Sequence, residues 1–166
     1  MQSNPVIKYL DDNQIAYSSF DHPPLHDSKE ADRLAIHRPG TRLKNLFLRD
    51  NYGRRHFLLL VPPEKSVDLK QLSKQLKVSR LGFASAERLD RYLEVKPGSV
   101  SLLALLNDKD NCVELLIDNE CWCGEAFQCH PLINTATLVL SKKSVQTFVG
   151  LTGHSITVID VPLLNG

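Results

Sequence analysis

Lys44 and Asn45 stand side by side in TRLKNLFLRD (41–50), an apolar run whose Leu43, Leu46, Phe47 and Leu48 require a core. Adjacent residues of a strand face opposite sides, so one of this polar pair is aimed at the core or at a cleft bordering it. Lysine brings a compact charge on a flexible stem, which suits phosphate, and the amide brings both donor and acceptor. Other groups capable of chemistry fall in breaks between expected elements: His22, the loop from Gly98 through Ser99 and Val100 to Ser101, and Cys129-His130-Pro131. A Gly-Ser loop can present backbone N–H groups to an anion or a developing oxyanion, or be an ordinary turn. His130 before a proline is either an acid/base or donor group, or a structural histidine satisfied by backbone. His26, His37, His56 and His154 have no neighbours that mark them out and are read as surface residues.

Covalent catalysis finds little support. No G-x-S-x-G elbow is present, and Ser99 follows Gly98 without a strand–turn–helix context. Cys129 and His130 are neighbours on an extended segment, so they point apart and do not pair as thiolate and base. Cys112, Cys121, Cys123 and Cys129 cluster in sequence, but C-x-C is not the usual C-x-x-C zinc spacing. A site built from Cys121, Cys123, Cys129 and His130 is conceivable; reduced thiols in a cytosolic domain are the expected state.

These groups need a scaffold, and 166 residues suit one domain, 1–166, with a real core. With 42% hydrophobic and 23% charged residues the composition is that of a globular protein. No apolar stretch reaches a membrane span of roughly 18 residues. The N-terminus has no signal-peptide pattern, so a cytoplasmic protein is expected. The net charge of +1 hides an asymmetry: residues 33–80 hold twelve Lys/Arg against three acids. Either one face is built for a polyanion, or the fold scatters solvated charges over several faces.

Asn4-Pro5 predicts a helix start, with Val6, Tyr9 and Leu10 on one face. Ile15–Phe20 reads as a strand, and Asp27 with Glu30 as a capping box opening a helix through Ala35. Leu43–Arg49 and His56–Val61 read as strands joined by the turn Asp50-Asn51-Tyr52-Gly53. Leu69, Leu72 and Leu76 mark one helix, and Leu89, Tyr92 and Leu93 another, capped by Ser85. Val100–Leu106, Cys112–Ile117, Thr135–Leu140 and Ile156–Val161 read as strands, with a helix opened by Ser141 before the last. The expected fold is a single α/β (α+β) domain: a mixed, mostly antiparallel sheet with flanking helices.

Six stretches, FDHPP (20–24), LKNLFLRD (43–50), GRRHFLLLV (53–61), RLGFAS (80–85), PGSVSLLALLND (97–108) and FQCHPLINTATLVLS (127–141), resemble in order the YbaK/ProX family of aminoacyl-tRNA editing domains. The nearest branch is the free-standing prolyl-tRNA editing proteins that deacylate alanyl-tRNA(Pro). The resemblance implies a curled sheet with flanking helices, hydrolysis of the ester joining a wrong amino acid to tRNA, and no metal or organic cofactor. It implies Lys44 as the key active-site residue, with Gly98, Ser99 and His130 beside it. Phe20, His22, Asn45, Val100, Ser101, Leu102 and Pro131 would bind substrate, and Arg42 and Arg80 would bind tRNA. The implied partners are aminoacyl-tRNA, tRNA(Pro) first, and prolyl-tRNA synthetase transiently. Alternatives are a cysteinyl-tRNA(Pro) or seryl/threonyl-tRNA deacylase, or an inactive paralogue that binds tRNA or protein. Two departures bear on the pocket: Leu102 stands where many members have proline, and Cys129 where some have glycine.

Overall fold

Asn4-Pro5 starts the first helix as expected: Asn4 Oδ1 accepts from the Val6 and Ile7 amides, capping α1 (Pro5–Asp12). The computed structural model describes residues 4–21, 40–133 and 135–164. The elements that follow are β1 (Ser18–Asp21), β2 (Lys44–Arg49), β3 (His56–Val61), α2 (Leu69–Leu76), β4 (Gly82–Phe83) and α3 (Ala86–Leu93). A 3-10 helix (Leu102–Asn107) leads to β5 (Val113–Asp118), α4 (Asn119–Trp122), β6 (Ala126–Cys129), β7 (Ala136–Ser141), α5 (Lys142–Leu151) and β8 (Ile156–Ile159). The helix expected over 27–35 lies outside the described residues, as do His22, His26 and His37.

Two sheets result. One has the order β1-β7-β6, antiparallel throughout; the other is β4-β2-β3-β5-β8. In the second, β2 pairs antiparallel with β3 and β4, while β3-β5 and β5-β8 are parallel. The chain entering β2 joins the sheets. Thr41 donates its amide to Ala126 O and accepts from Gln128 N, bridging to β6 before the strand turns into the larger sheet. The assembly is therefore curled but unclosed. Gly124 allows this corner, because a Cβ there would sit 2.3 Å from Thr41 Oγ1.

Alternation along the strands sorts the core into two layers. Phe47, Leu58, Leu60, Leu115 and Ile117 face an inner cluster shared with Phe127, Leu138, Leu140 and Phe148. Leu48, Phe57, Leu59, Val61 and Leu116 face an outer cluster shared with Leu72 of α2. Every residue of β3 is buried, as a strand covered on both faces requires.

Three expectations change. Val100–Leu106 is not a strand: Ser101 Oγ accepts from the Leu103 amide and opens the 3-10 helix, whose Leu102, Leu103, Ala104 and Leu105 are all buried. His56 is not a surface residue. Its ring lies 4.0 Å from that of Tyr92 and 5.7 Å from that of Phe47, and its Nε2 accepts from Arg88 Nη1. Burial first, and then the Arg88 charge, lower its pKa. His154 is buried too: its Nε2 meets Asp108 Oδ2 at 2.8 Å and its Nδ1 meets the Thr152 hydroxyl at 2.9 Å.

Asp108 collects three donors in the core, the Cys112 and Val113 amides as well as His154, and so holds the turn before β5. Replacing it by alanine strands all three. Asp108→Ala is expected to lower unfolding free energy by about 3 kcal/mol or more, read from the urea midpoint; a loss under about 1 kcal/mol would contradict this role.

Candidate active site

Lys44 and Asn45 are the first two residues of β2, and the strand sends them to different faces. Lys44 pairs with Val61 of the outer layer and Asn45 with Leu60 of the inner one. Asn45 Oδ1 is buried and has no hydrogen-bond partner. An unsatisfied buried acceptor is uncommon in folded proteins. The inner core is where the other candidate segments converge. Leu43 and Val100 pack against it, Leu102 and Cys129 belong to it, and Leu132 flanks it just beyond His130-Pro131.

The glycine loop has a definite donor pattern. Gly98 takes φ +92°, the left-handed region that favours glycine, and a Cβ there would meet nothing within 4 Å. The Ser99 amide is committed to Lys96 O. Among the described residues, the amides of Gly98, Val100 and Ser101 have no such acceptor. The Ser101 side chain is the helix cap and is buried, so its part in any site is played by its backbone.

His130 is half-buried and Pro131 is buried. Asn4 Nδ2 donates to Pro131 O at 2.8 Å, so the cap of α1 also tethers this segment. Leu132 follows at φ +65°, a conformation costing a non-glycine residue about 1–3 kcal/mol. Leu132 lies two residues after His130. Phe20 is half-buried on β1, opposite Thr137.

On the outer side, Lys44 Nζ donates to Lys65 O in the turn after β3. Lys65 is itself buried and pairs with Asp118 at the end of β5. Burial disfavours its ammonium, but the hydrogen bond and charge of Asp118, with Glu120 beside them, outweigh this and raise its pKa. Arg42 lines a neighbouring hollow with Pro62, Pro63, Glu64 and Glu120. Lys65, Asp118 and Asn4 were not legible as site supports, since their partners lie 21 to 127 residues away in sequence.

The basic stretch is only partly a surface. Lys65 is buried in its ion pair, and Arg55 is held by Glu114 through two bonds of 2.8 and 2.7 Å. Lys70, Lys74 and Arg80 line one hollow, and Arg80 with Arg49 lines another. Arg80 thus belongs to the Arg49 end of β2, about 16 Å along the strand from Lys44. As for nucleophiles, burial pushes the Cys129 thiol up to about 12, which disfavours a thiolate beside His130. Among the described residues, no three His, Cys, Asp or Glu side chains group to hold a metal ion, and no helix is long and apolar enough to cross a membrane.

Residues 22–148 match the aminoacyl-tRNA editing domain family. The chain is 34% identical over 156 residues to the prolyl-tRNA editing protein ProX of Acetoanaerobium sticklandii, covering 94% of this chain and 95% of that protein. It is 31% identical over 150 residues to the prolyl-tRNA synthetase associated domain-containing protein 1 of Danio rerio, covering 89% and 81%. A crystal structure of a candidate trans-editing enzyme for prolyl-tRNA synthetase shares the fold, with a TM-score of 0.69 at 17% identity over 99% of this chain and 100% of that one. The lysine-asparagine strand, the glycine loop and the late His-Pro are thus set in the fold their motifs implied, and the chain belongs to the YbaK/ProX family of aminoacyl-tRNA editing domains.

Proposed function

We propose that this chain is a trans-editing hydrolase that deacylates alanyl-tRNA(Pro). The coarser statement, an aminoacyl-tRNA editing enzyme of the prolyl-tRNA editing branch, follows from family membership. The observation that supports a site for the aminoacyl group is the buried Asn45 Oδ1, an acceptor left open on the inner face; the choice of alanine rests on the size argument, that a proline pocket admits a smaller residue. The Asn45 acceptor is matched to the α-ammonium group of an aminoacyl ester.

In this reading the scissile ester lies between Asn45 and the loop at Gly98. The open amides of Gly98, Val100 and Ser101 supply donors for the tetrahedral oxyanion, where one such donor is worth about 3 kcal/mol in other hydrolases. His130 orients the amine or carbonyl. Lys44, anchored at the outer lip, keeps two ammonium N–H groups for the phosphate or ribose of the terminal adenosine. Water is the nucleophile. Its base is the adenosine's own ribose hydroxyl, which accounts for a site built without a protein triad.

The chemical need is clear. A pocket made for proline rejects a smaller amino acid weakly, because one missing methylene is worth about 1–3 kcal/mol. A second, smaller hydrolytic pocket admits alanine and excludes proline. The exposed Lys70, Lys74 and Arg80, with the half-buried Arg49, then take phosphates of the acceptor stem. Transient association with prolyl-tRNA synthetase would deliver the substrate.

In a deacylation panel, alanine is expected to be released from alanyl-tRNA(Pro) faster than cysteine or serine from their mischarged tRNAs. Lys44→Ala should remain folded and lose this activity. Preference for another amino acid would overturn the substrate assignment, and full activity of Lys44→Ala would overturn the role of the lysine. Affinity for tRNA should fall steeply as salt rises from about 50 to 200 mM; a flat response would remove the basic surface from the account.

A further inference from the structure

The buried pair between Lys65 and Asp118 takes no part in the reaction proposed above, yet it lies one hydrogen bond from it. Its side chains are only 7% and 1% exposed. Apolar residues of similar size usually serve stability as well as a buried ion pair does, so stability alone does not explain it.

The connections of Lys65 do. Its amide donates to Pro62 O and closes the turn. Its carbonyl accepts from Lys44 Nζ. Its ammonium reaches Asp118 Oδ2, while Asp118 Oδ1 accepts from the Glu120 amide and caps α4. One residue thus ties the start of β2 to the end of β5. We infer that Lys65 and Asp118 are positioning residues for Lys44: the pair pins the turn after β3, so that the Lys65 carbonyl holds the Lys44 ammonium in one place. A lysine otherwise carries several freely rotating bonds, whose ordering would fall on substrate binding. The inference rests on Lys44 being a substrate-binding residue, as proposed above.

The test separates positioning from folding. Asp118→Asn keeps the size and the helix cap but removes the charge. Lys65→Met combined with Asp118→Leu removes both charges and keeps apolar volume, so apart from the lost cap of α4 it should be about as stable as the unmodified protein. Both are expected to be folded by circular dichroism and urea unfolding. Both should deacylate alanyl-tRNA(Pro) on the order of 10- to 100-fold more slowly, the effect of misplacing a reacting group by about 1 Å. Arg55→Ala, which breaks the remote pair with Glu114, should leave the rate unchanged. In single-turnover assays, adding Asp118→Asn to Lys44→Ala should not slow the residual reaction further. If Lys44→Ala is inactive but the charge-free double variant works at the normal rate, the positioning role is overturned and the site reading stands. If Lys44→Ala itself retains full rate, both are overturned together. Should Asp118→Asn fail to fold, the charge-free variant decides.

Discussion

Adjacent side chains of a strand cannot share a face, and β2 makes this the organising constraint of the molecule. Its inner side joins the core between the two sheets, and its outer side joins the layer under α2. Lys44 and Asn45 therefore serve different places although they are neighbours. An aminoacyl-adenosine has the same two-part character, a small amino acid at one end and a charged nucleotide at the other. A strand that begins with a lysine on one side and an amide on the other can hold both parts across its end.

Each candidate group is held by something distant. The His130 segment is tethered by the cap of α1, the glycine loop ends in the Ser101 cap of the 3-10 helix, and Lys44 is anchored to the turn that Lys65 and Asp118 secure. The Asn45 acceptor, by contrast, is buried and has no partner within the protein among the described residues. In the proposed reaction the rate comes from placement and from donors aimed at developing charge. The thiols fit this division: burial, with the carboxylates of Asp118 and Glu120 adding to it, pushes Cys121 up to about 12 as well, leaving it a packing residue.

Local rules carried much of the fold. Asn4-Pro5, Ser85 and Ser141 announced their helices because a cap is a short-range signal. His56–Val61 was readable because turn residues and Pro62-Pro63 bracket a short, continuous, leucine-rich apolar run. Leu102–Asn107 was misread because a continuous apolar run looks alike as strand or helix; Ser101 as a cap was the available clue. The buried histidines were misread because their partners are remote, Asp108 for His154 and Arg88 and Tyr92 for His56. In the site, the polar pair stood out against its apolar run, whereas the supports of Lys44 could not, because Lys65 and Asp118 meet only through the parallel pairing of β3 with β5.

In the proposed complex the inner face beside Asn45 receives the amino acid while Lys44 meets the nucleotide. A crystal structure with a non-hydrolysable alanyl-adenosine, its ester replaced by an amide, addresses this directly. The alanyl amine is expected within about 3 Å of Asn45 Oδ1, the carbonyl oxygen on the amides around Gly98–Ser101, and the ribose or phosphate side on Lys44. An alanyl group seated elsewhere, with Asn45 Oδ1 still without a donor, would contradict it.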